Sequence, residues 1–276
     1  MASGRRVSVI HVSYYTDPCC PWSWALEPAL RRIQQEFGEG LRLAYVMAGM
    51  AREFAAPLTV VGEVLEAAAA SGMPVDPRLW LQDAPRSSFP ACIAVKAAAE
   101  QGDPAPYLRR LREGLLCRRR RLDGAQALID EARGIVGLGI ERFRIDLGSH
   151  AILEAFGTDL ERAKAVASEH HASGSHHVKL PSLEFRGADK AVHGVYGVTQ
   201  YEPVRQAALA AGAEPVDGTV PSIEEALRRF GSMSTAEVAA VCGLHGPRAP
   251  AELWRLATEW RIKPEKLGSG ELWTLA

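Results

Sequence analysis

The sequence predicts an α/β domain interrupted by a helical insertion and followed by a small α+β unit. Three observations carry that expectation. The first 47 residues pattern as strand, helix, strand; residues from about 57 to 170 pattern as helices alone; strand patterning returns at residue 178 as a hairpin. A chain of 276 residues is long for one compact domain and short for three. The expected boundaries are 1–56 and 176–212 for the two parts of the α/β domain, 57–175 for the insertion and 221–276 for the C-terminal unit.

Val7 to Tyr15 is rich in Val, Ile and Tyr and predicts a buried first strand, closed by Thr16-Asp17-Pro18. Pro21 opens a helix in which Leu26, Leu30, Ile33 and Phe37 recur at helical spacing, and Gly38 stops it. Leu41, Leu43 and Tyr45 alternate with Arg42 and Ala44, which predicts a second strand with at least one solvent-accessible side. Five helices are expected next, over residues 60–70, 89–100, 106–121, 125–136 and 149–168, with Asp123 and Ser149 as N-caps. Residues 178–185 and 191–196 flank a turn at Gly187 and form a hairpin. Thr199 and Glu202 have capping-box spacing and open a helix to Ala211, stopped by Gly212. In the last unit Ser222 starts a helix to Phe230. Ser234 and Glu237 form a capping box that opens a helix to Cys242. Residues 249–260 form a third helix and 262–275 a hairpin. Helix, helix, hairpin at this size resembles a winged-helix module, with Trp254, Trp260 and Trp273 as its core.

Apolar residues are 47% and charged residues 24%, the mean hydropathy is -0.07, and no run of about 18 apolar residues occurs, so no membrane span is expected. A net charge of -1 argues against nucleic-acid binding through bulk charge. The helix at 249–260 carries Glu252 and Glu259 beside Arg255, where a recognition helix presents Arg, Lys, Asn or Gln to base edges. The apolar stretch after Arg5-Arg6 is too short and punctuated for a signal peptide, which predicts a cytoplasmic location. There the five cysteines should be free thiols, so one singled out by its position is reactive rather than structural.

The informative segment is Asp17-Pro18-Cys19-Cys20-Pro21-Trp22-Ser23-Trp24. Cys20 falls at a strand–helix junction with Pro21 at the first helical position. Unpaired N–H groups and the positive end of the helix dipole favour thiolate there, which predicts a pKa lowered toward roughly 3.5–7.5 and a nucleophile for disulfide sulfur or another soft electrophile. Trp22 and Trp24 are expected to be part core, part groove wall. Cys19 could pair with Cys20 only through a strained ring. Cys92, in the helical block, is the other candidate second thiol, while Cys117 and Cys242 sit on apolar helix faces as core residues. His170, His171, His176 and His177 bracket a Gly-containing loop without helical register or a joining carboxylate, so no metal site is expected. His177 is near enough to Pro181 in sequence to approach Cys20. Arg118 to Arg121 is expected to end a helix, where cations complement the dipole.

This segment resembles the active site of the DsbA-like branch of the thioredoxin superfamily, in which Asp-Pro-x-Cys-Pro-Trp-x followed by Tyr or Trp opens the first helix. Among its members the chain is most similar to the cytoplasmic FrnE-like proteins and the SpxH-type adaptors of the ClpXP protease. Residues Val46-Met47-Ala48-Gly49-Met50 and the stretch from Ser87 to Lys96 resemble segments common in this branch, and the resemblance covers roughly residues 7–211. It implies a thioredoxin-like fold whose helical insertion covers the active site, and thiol–disulfide oxidoreductase activity. It also implies that Pro181 is the family's cis proline opposite the active cysteine, with the backbone of Leu180 exposed to pair with substrate. Pro21, Trp22, Trp24, Leu180 and Pro181 are then the expected substrate-binding residues.

The sequence departs from the branch at its second cysteine, which is Ser23 here. Cys20-Pro21-Trp22-Ser23 cannot form the intrahelical disulfide, which leaves three chemistries. Cys20 can act as a single nucleophile, released by a low-molecular-weight thiol as co-substrate, with no bound cofactor. Ser23 can donate a hydrogen bond to the Cys20 thiolate or a bound thiol, in an enzyme akin to kappa-class glutathione transferases and 2-hydroxychromene-2-carboxylate isomerases. Or the site is silent and the protein is an adaptor. The expected partner is accordingly a thiol- or disulfide-containing protein or small molecule, or a client protein.

Overall fold

The computed structural model describes residues 9–54, 56–216, 218 and 220–276; Arg5-Arg6 and the expected strand start at Val7 lie outside the described residues. Strand β1 (Ile10–Thr16) leads into α1 (Pro21–Ala25) and α2 (Glu27–Phe37), and β2 (Leu41–Met47) returns parallel to β1. The helix expected as one piece is broken at Leu26, because Pro28 has no N–H to give the Trp24 carbonyl. Its end is as expected, at Gly38 with φ 52.

Seven helices follow where five were expected: α3 (Pro57–Ser71), α4 (Arg78–Gln82), α5 (Phe89–Ala99), α6 (Ala105–Leu116), α7 (Ala125–Ala132), α8 (Ile140–Leu147) and α9 (His150–Ala165). The two extra ones carry little periodic signal: α4 buries only Leu79 and Trp80, and α8 only Phe143 and Asp146. Helix α6 stops at Leu116, so Arg118 to Arg121 do not end a helix. The chain turns there, with Arg119 at φ 54, and each guanidinium meets one or two carboxylates: Arg118 with Glu113 and Glu265, Arg119 with Asp76, Arg120 with Glu131, Arg121 with Asp83 and its near neighbour Asp123. Asp123 is therefore not an N-cap. It accepts the Arg86 N–H at 2.8 Å, and Gly124 begins α7 without a side-chain cap. Ser149 does cap α9.

The chain then enters β3 (Ser182–Arg186), antiparallel to β1, and β4 (Val192–Tyr196), antiparallel to β3, which completes a four-stranded sheet of order β2-β1-β3-β4. Helix α10 (Tyr201–Ala210) begins at Gln200 with no side-chain cap, so the Thr199–Glu202 box does not form. Alternation along β1 divides the sheet faces. Ile10, Val12 and Tyr14 pack with Leu26, Ile33, Phe37 and Val204, while Tyr15 packs with Val46, Ala163 and Val178 on the other side.

The last unit is α11 (Ile223–Phe230), β5 (Met233–Ser234), α12 (Thr235–Val241), α13 (Arg248–Thr258), β6 (Ile262–Leu267) and β7 (Gly270–Leu275), with a sheet of order β5-β7-β6. The Ser234–Glu237 capping box forms, and Ser222 makes another with Glu225. Of the three tryptophans only Trp273 belongs to the core. Trp254 leans edge-on against it at 5.1 Å and is 43% exposed; Trp260, at φ 59 beyond the end of α13, is 86% exposed.

This unit is docked on the rest of the chain. The β6–β7 turn sits on the loop before α4, with the Ser269 N–H on the Val75 carbonyl and the Val75 N–H on Ser269 Oγ, both at 3.0 Å. Gly268 at φ 44 allows it: a Cβ there would stand 2.1 Å from the Val75 oxygen. Gly268→Ala is expected to cost at least about 2 kcal/mol, against roughly 1 kcal/mol for Gly246→Ala, which has a similar φ and open space around it. Thermal denaturation of the two variants measures the difference.

Candidate functional site

Asp17 organises the site. Its carboxylate is fully buried and accepts the Cys19 N–H at 2.8 Å, the Met50 N–H at 2.8 Å, the Ser88 hydroxyl at 2.7 Å and the Cys92 thiol at 3.2 Å. Burial pushes its pKa up, and the Ser88, Met50, Cys19 and Cys92 hydrogen bonds pull it back. The two segments from 46 to 50 and from 87 to 96 meet the active-site segment here. Gly49, at φ 59, lets them close, since a Cβ would lie 2.8 Å from Leu160 and 2.9 Å from Phe89. Sequence reasoning gave Asp17 no role. The available signal was the Asp-Pro ahead of the cysteines together with Ser88 and Cys92.

Cys20 is the N-cap residue of α1, with Pro21 in its first turn, and its sulfur accepts the Ser23 N–H at 3.3 Å. The thiol is only 3% exposed. Burial pushes its pKa up to about 11; the Ser23 hydroxyl and N–H and the Arg112 guanidinium pull downward, and Asp17 adds to the rise. The expected depressed pKa is thus overturned. A five-residue helix supplies a small dipole, and desolvation outweighs it. The Ser23 hydroxyl lies close enough to act on the sulfur, yet it completes no hydrogen bond of normal geometry with any group.

Neither expected second thiol is paired with Cys20, and all five cysteines are free. Cys92 is bound to Asp17, and burial followed by that carboxylate raises its pKa well above the usual value. Cys19 is packed in the core of the insertion. Trp24 is also a core residue and not a groove wall: its Nε1–H donates to the Pro74 carbonyl at 2.9 Å, and Arg109 stacks on its ring at 4.3 Å.

Cys20, Pro21 and Trp22 line a cavity of about 280 Å³. Met50 closes it from the loop after β2, Glu63 from α3, and His177 and Leu180 from the segment before β3. The Leu180–Pro181 peptide is cis, and Pro181 lies buried outside the cavity wall. Of the other histidines, His170 stacks on Tyr196 at 3.8 Å and His171 Nε2 contacts the Val166 carbonyl at 2.8 Å. Among the described residues no cluster of His, Cys, Asp and Glu could hold a metal ion, and no helix is long and apolar enough to cross a membrane.

The thioredoxin family profile matches residues 14–173, more than half of the chain. The ClpXP adapter protein SpxH of Halalkalibacterium halodurans is 26% identical, with the alignment covering 98% of this chain and 90% of that protein. SpxH of Bacillus subtilis is also 26% identical, with the same coverage. Among solved structures, the cytosolic disulfide reductase DsbM of Pseudomonas aeruginosa shares the fold with a TM-score of 0.57 at 21% identity, covering 72% of this chain and 96% of that one. With the sheet order, the helical insertion and the placement of Cys20 already described, the profile match over more than half of the chain establishes that the chain belongs to the thioredoxin family.

Proposed function

We propose that this chain is a protein adapter on a thioredoxin scaffold, holding a client segment at the Cys20 cavity and delivering it to a ClpXP-type protease in the cytoplasm. One observation carries the proposal: no second thiol stands where a disulfide cycle needs one. Position 23 is Ser, Cys92 is bound to Asp17 and Cys19 is in the core. Burial of Cys20 adds support, since a thiol with its pKa near 11 is protonated at neutral pH and the thiolate is the nucleophile. The SpxH likeness also runs over 98% of the chain, whereas the reductase fold leaves more than a quarter of it unmatched.

The test is client turnover in cells lacking the gene, complemented with wild type, Cys20→Ser or Leu180→Arg, with protein half-lives followed after translation arrest in the presence and absence of ClpX. A set of proteins should persist in the deletion strain. Wild type and Cys20→Ser should both clear it in a ClpX-dependent way, and Leu180→Arg should not. Unchanged half-lives, or clearance that requires the Cys20 thiol, would overturn the proposal.

A second reading keeps one observation of its own, the Cys20 sulfur at a helix start beside an accessible cavity. It supports a monothiol thiol–disulfide oxidoreductase that turns over with an external low-molecular-weight thiol and no bound cofactor. Reduction of hydroxyethyl disulfide by glutathione, present in wild type and abolished in Cys20→Ser, would favour it.

A further inference from the structure

Glu63 brings an uncompensated charge to the cavity. The wall is otherwise apolar apart from Cys20, Ser175 and His177, and no Lys or Arg lines it. Helix α3 itself contains Glu63 and Glu66 and no basic residue. Among the described residues neither glutamate has an ion-pair partner, and Glu66 bears on Glu63 as a like charge. The nearest basic residue along the chain from His177, Lys179, lays its stem along Gly197 instead. A half-buried carboxylate beside apolar surface with no cation of its own is a cost that a cationic ligand removes.

We propose that the segment accepted by this cavity carries a Lys or Arg next to the side chain that enters it, with the cation meeting Glu63. The neighbouring residue, apolar or Cys, fills the space between Trp22, Met50 and Leu180. At about 280 Å³ the cavity has room for one or two side chains, which suits a peptide segment better than a folded surface. The same charge disfavours anionic thiols. This deepens the adapter reading and rests on it for the identity of the ligand as a protein segment.

The test uses the full chain and the symmetric disulfides of three blocked dipeptides: acetyl-Lys-Cys-amide, acetyl-Gln-Cys-amide and acetyl-Glu-Cys-amide. At pH 9 the Lys side chain is still charged. The Cys20 proton passes to solvent, the thiolate forms a bond to one half of the probe, and the other half leaves as thiolate. Mixed-disulfide formation at Cys20 is followed by mass spectrometry and normalised to each probe's rate with free mercaptoethanol. The Lys probe should react about fivefold to tenfold faster than the Glu probe, the scale of one solvent-accessible ion pair, with the Gln probe between them. Glu63→Gln should collapse most of that ratio and Glu66→Gln part of it. Equal rates for the three probes, a ratio unmoved by Glu63→Gln, or a Cys20 that no probe modifies would overturn the proposal. Should clients fail to turn over while the charge ratio holds, the adapter reading falls and the preference of the cavity stands. Equal probe rates with intact client clearance do the reverse.

Discussion

Glu237→Gln is expected to remove roughly 3 kcal/mol of stability and to lower the melting temperature by about 10 °C. Glu237 is wholly buried near the start of α12, where it takes Arg109 through both oxygens, at 2.6 and 3.0 Å, and Arg31 at 2.9 Å. Gln at this position keeps an acceptor for the Ser234 N–H, so the substitution preserves the capping box and isolates the charge. Arg109 would retain Glu113 at 2.7 Å, but Arg31 would be left with Glu27 at 3.7 Å and the Ser232 carbonyl at 2.9 Å. A buried guanidinium without a close carboxylate bears its desolvation cost uncompensated. The three partners come from α2, α6 and α12, so their loss should also loosen the C-terminal unit and speed proteolysis between α10 and α11. The pH dependence gives an independent check. Burial raises the pKa of Glu237, but Arg109 and Arg31 outweigh it and hold the carboxyl below its usual range; Arg109 and Arg118 do the same for Glu113. A depressed folded-state pKa contributes stability above the unfolded value of about 4.3 and loses it as pH falls through the folded value. Wild type should therefore lose stability below about pH 4.3 more steeply than Glu237→Gln. Equal melting temperatures at pH 7, or parallel acid profiles, would mean that this network contributes nothing net.

What could be seen in the sequence was what is decided locally. Pro21 and the apolar repeat placed a helix start at Cys20, and the Ser234–Glu237 spacing gave its capping box. The hairpin expected over 178–185 and 191–196 forms, with its first strand beginning at Ser182. Contacts made across long separations were not legible. Asp17 gathers partners from positions 50, 88 and 92, and Glu237 gathers arginines from 31 and 109; none of these links has a short-range signature. Two misses were avoidable. Pro28 should have split the first helix. Trp22 and Trp24, two residues apart on a helix, cannot share a face, so one lining the cavity sends the other into the core. The Cys20 pKa shows the same limit, since the helix start is written in the sequence and the burial that overrides it is not.

At pH 7.5 iodoacetamide is expected to label Cys20 about 300-fold more slowly than a free thiol. A pKa near 11 against roughly 8.5 for an unperturbed cysteine leaves about 300-fold less thiolate, and the thiolate is the reacting species. The rate should climb about tenfold per pH unit with no plateau below pH 10. A thiol activated by the helix start, with a pKa at or below about 7.5, would be level by about pH 8.5. Mass spectrometry locates the label and Cys20→Ser is the blank; Cys20 is the cysteine that borders the cavity, while Cys19, Cys92 and Cys117 are buried in the core. Native structure has to be verified along the titration, and the sign of the linkage says where. Burial raises the pKa of all five cysteines. Their contribution to stability is fully present below the unfolded value of about 8.5 and is lost as pH rises toward the folded values, so alkali should favour unfolding. Circular dichroism at each pH separates labelling of the folded chain from labelling of an opened one. A steep profile in folded protein would mean that this scaffold keeps its cysteine as a buried surface for a client. A plateau near neutrality would mean that the thiol works as a nucleophile in solution, and the monothiol exchange reading would take over.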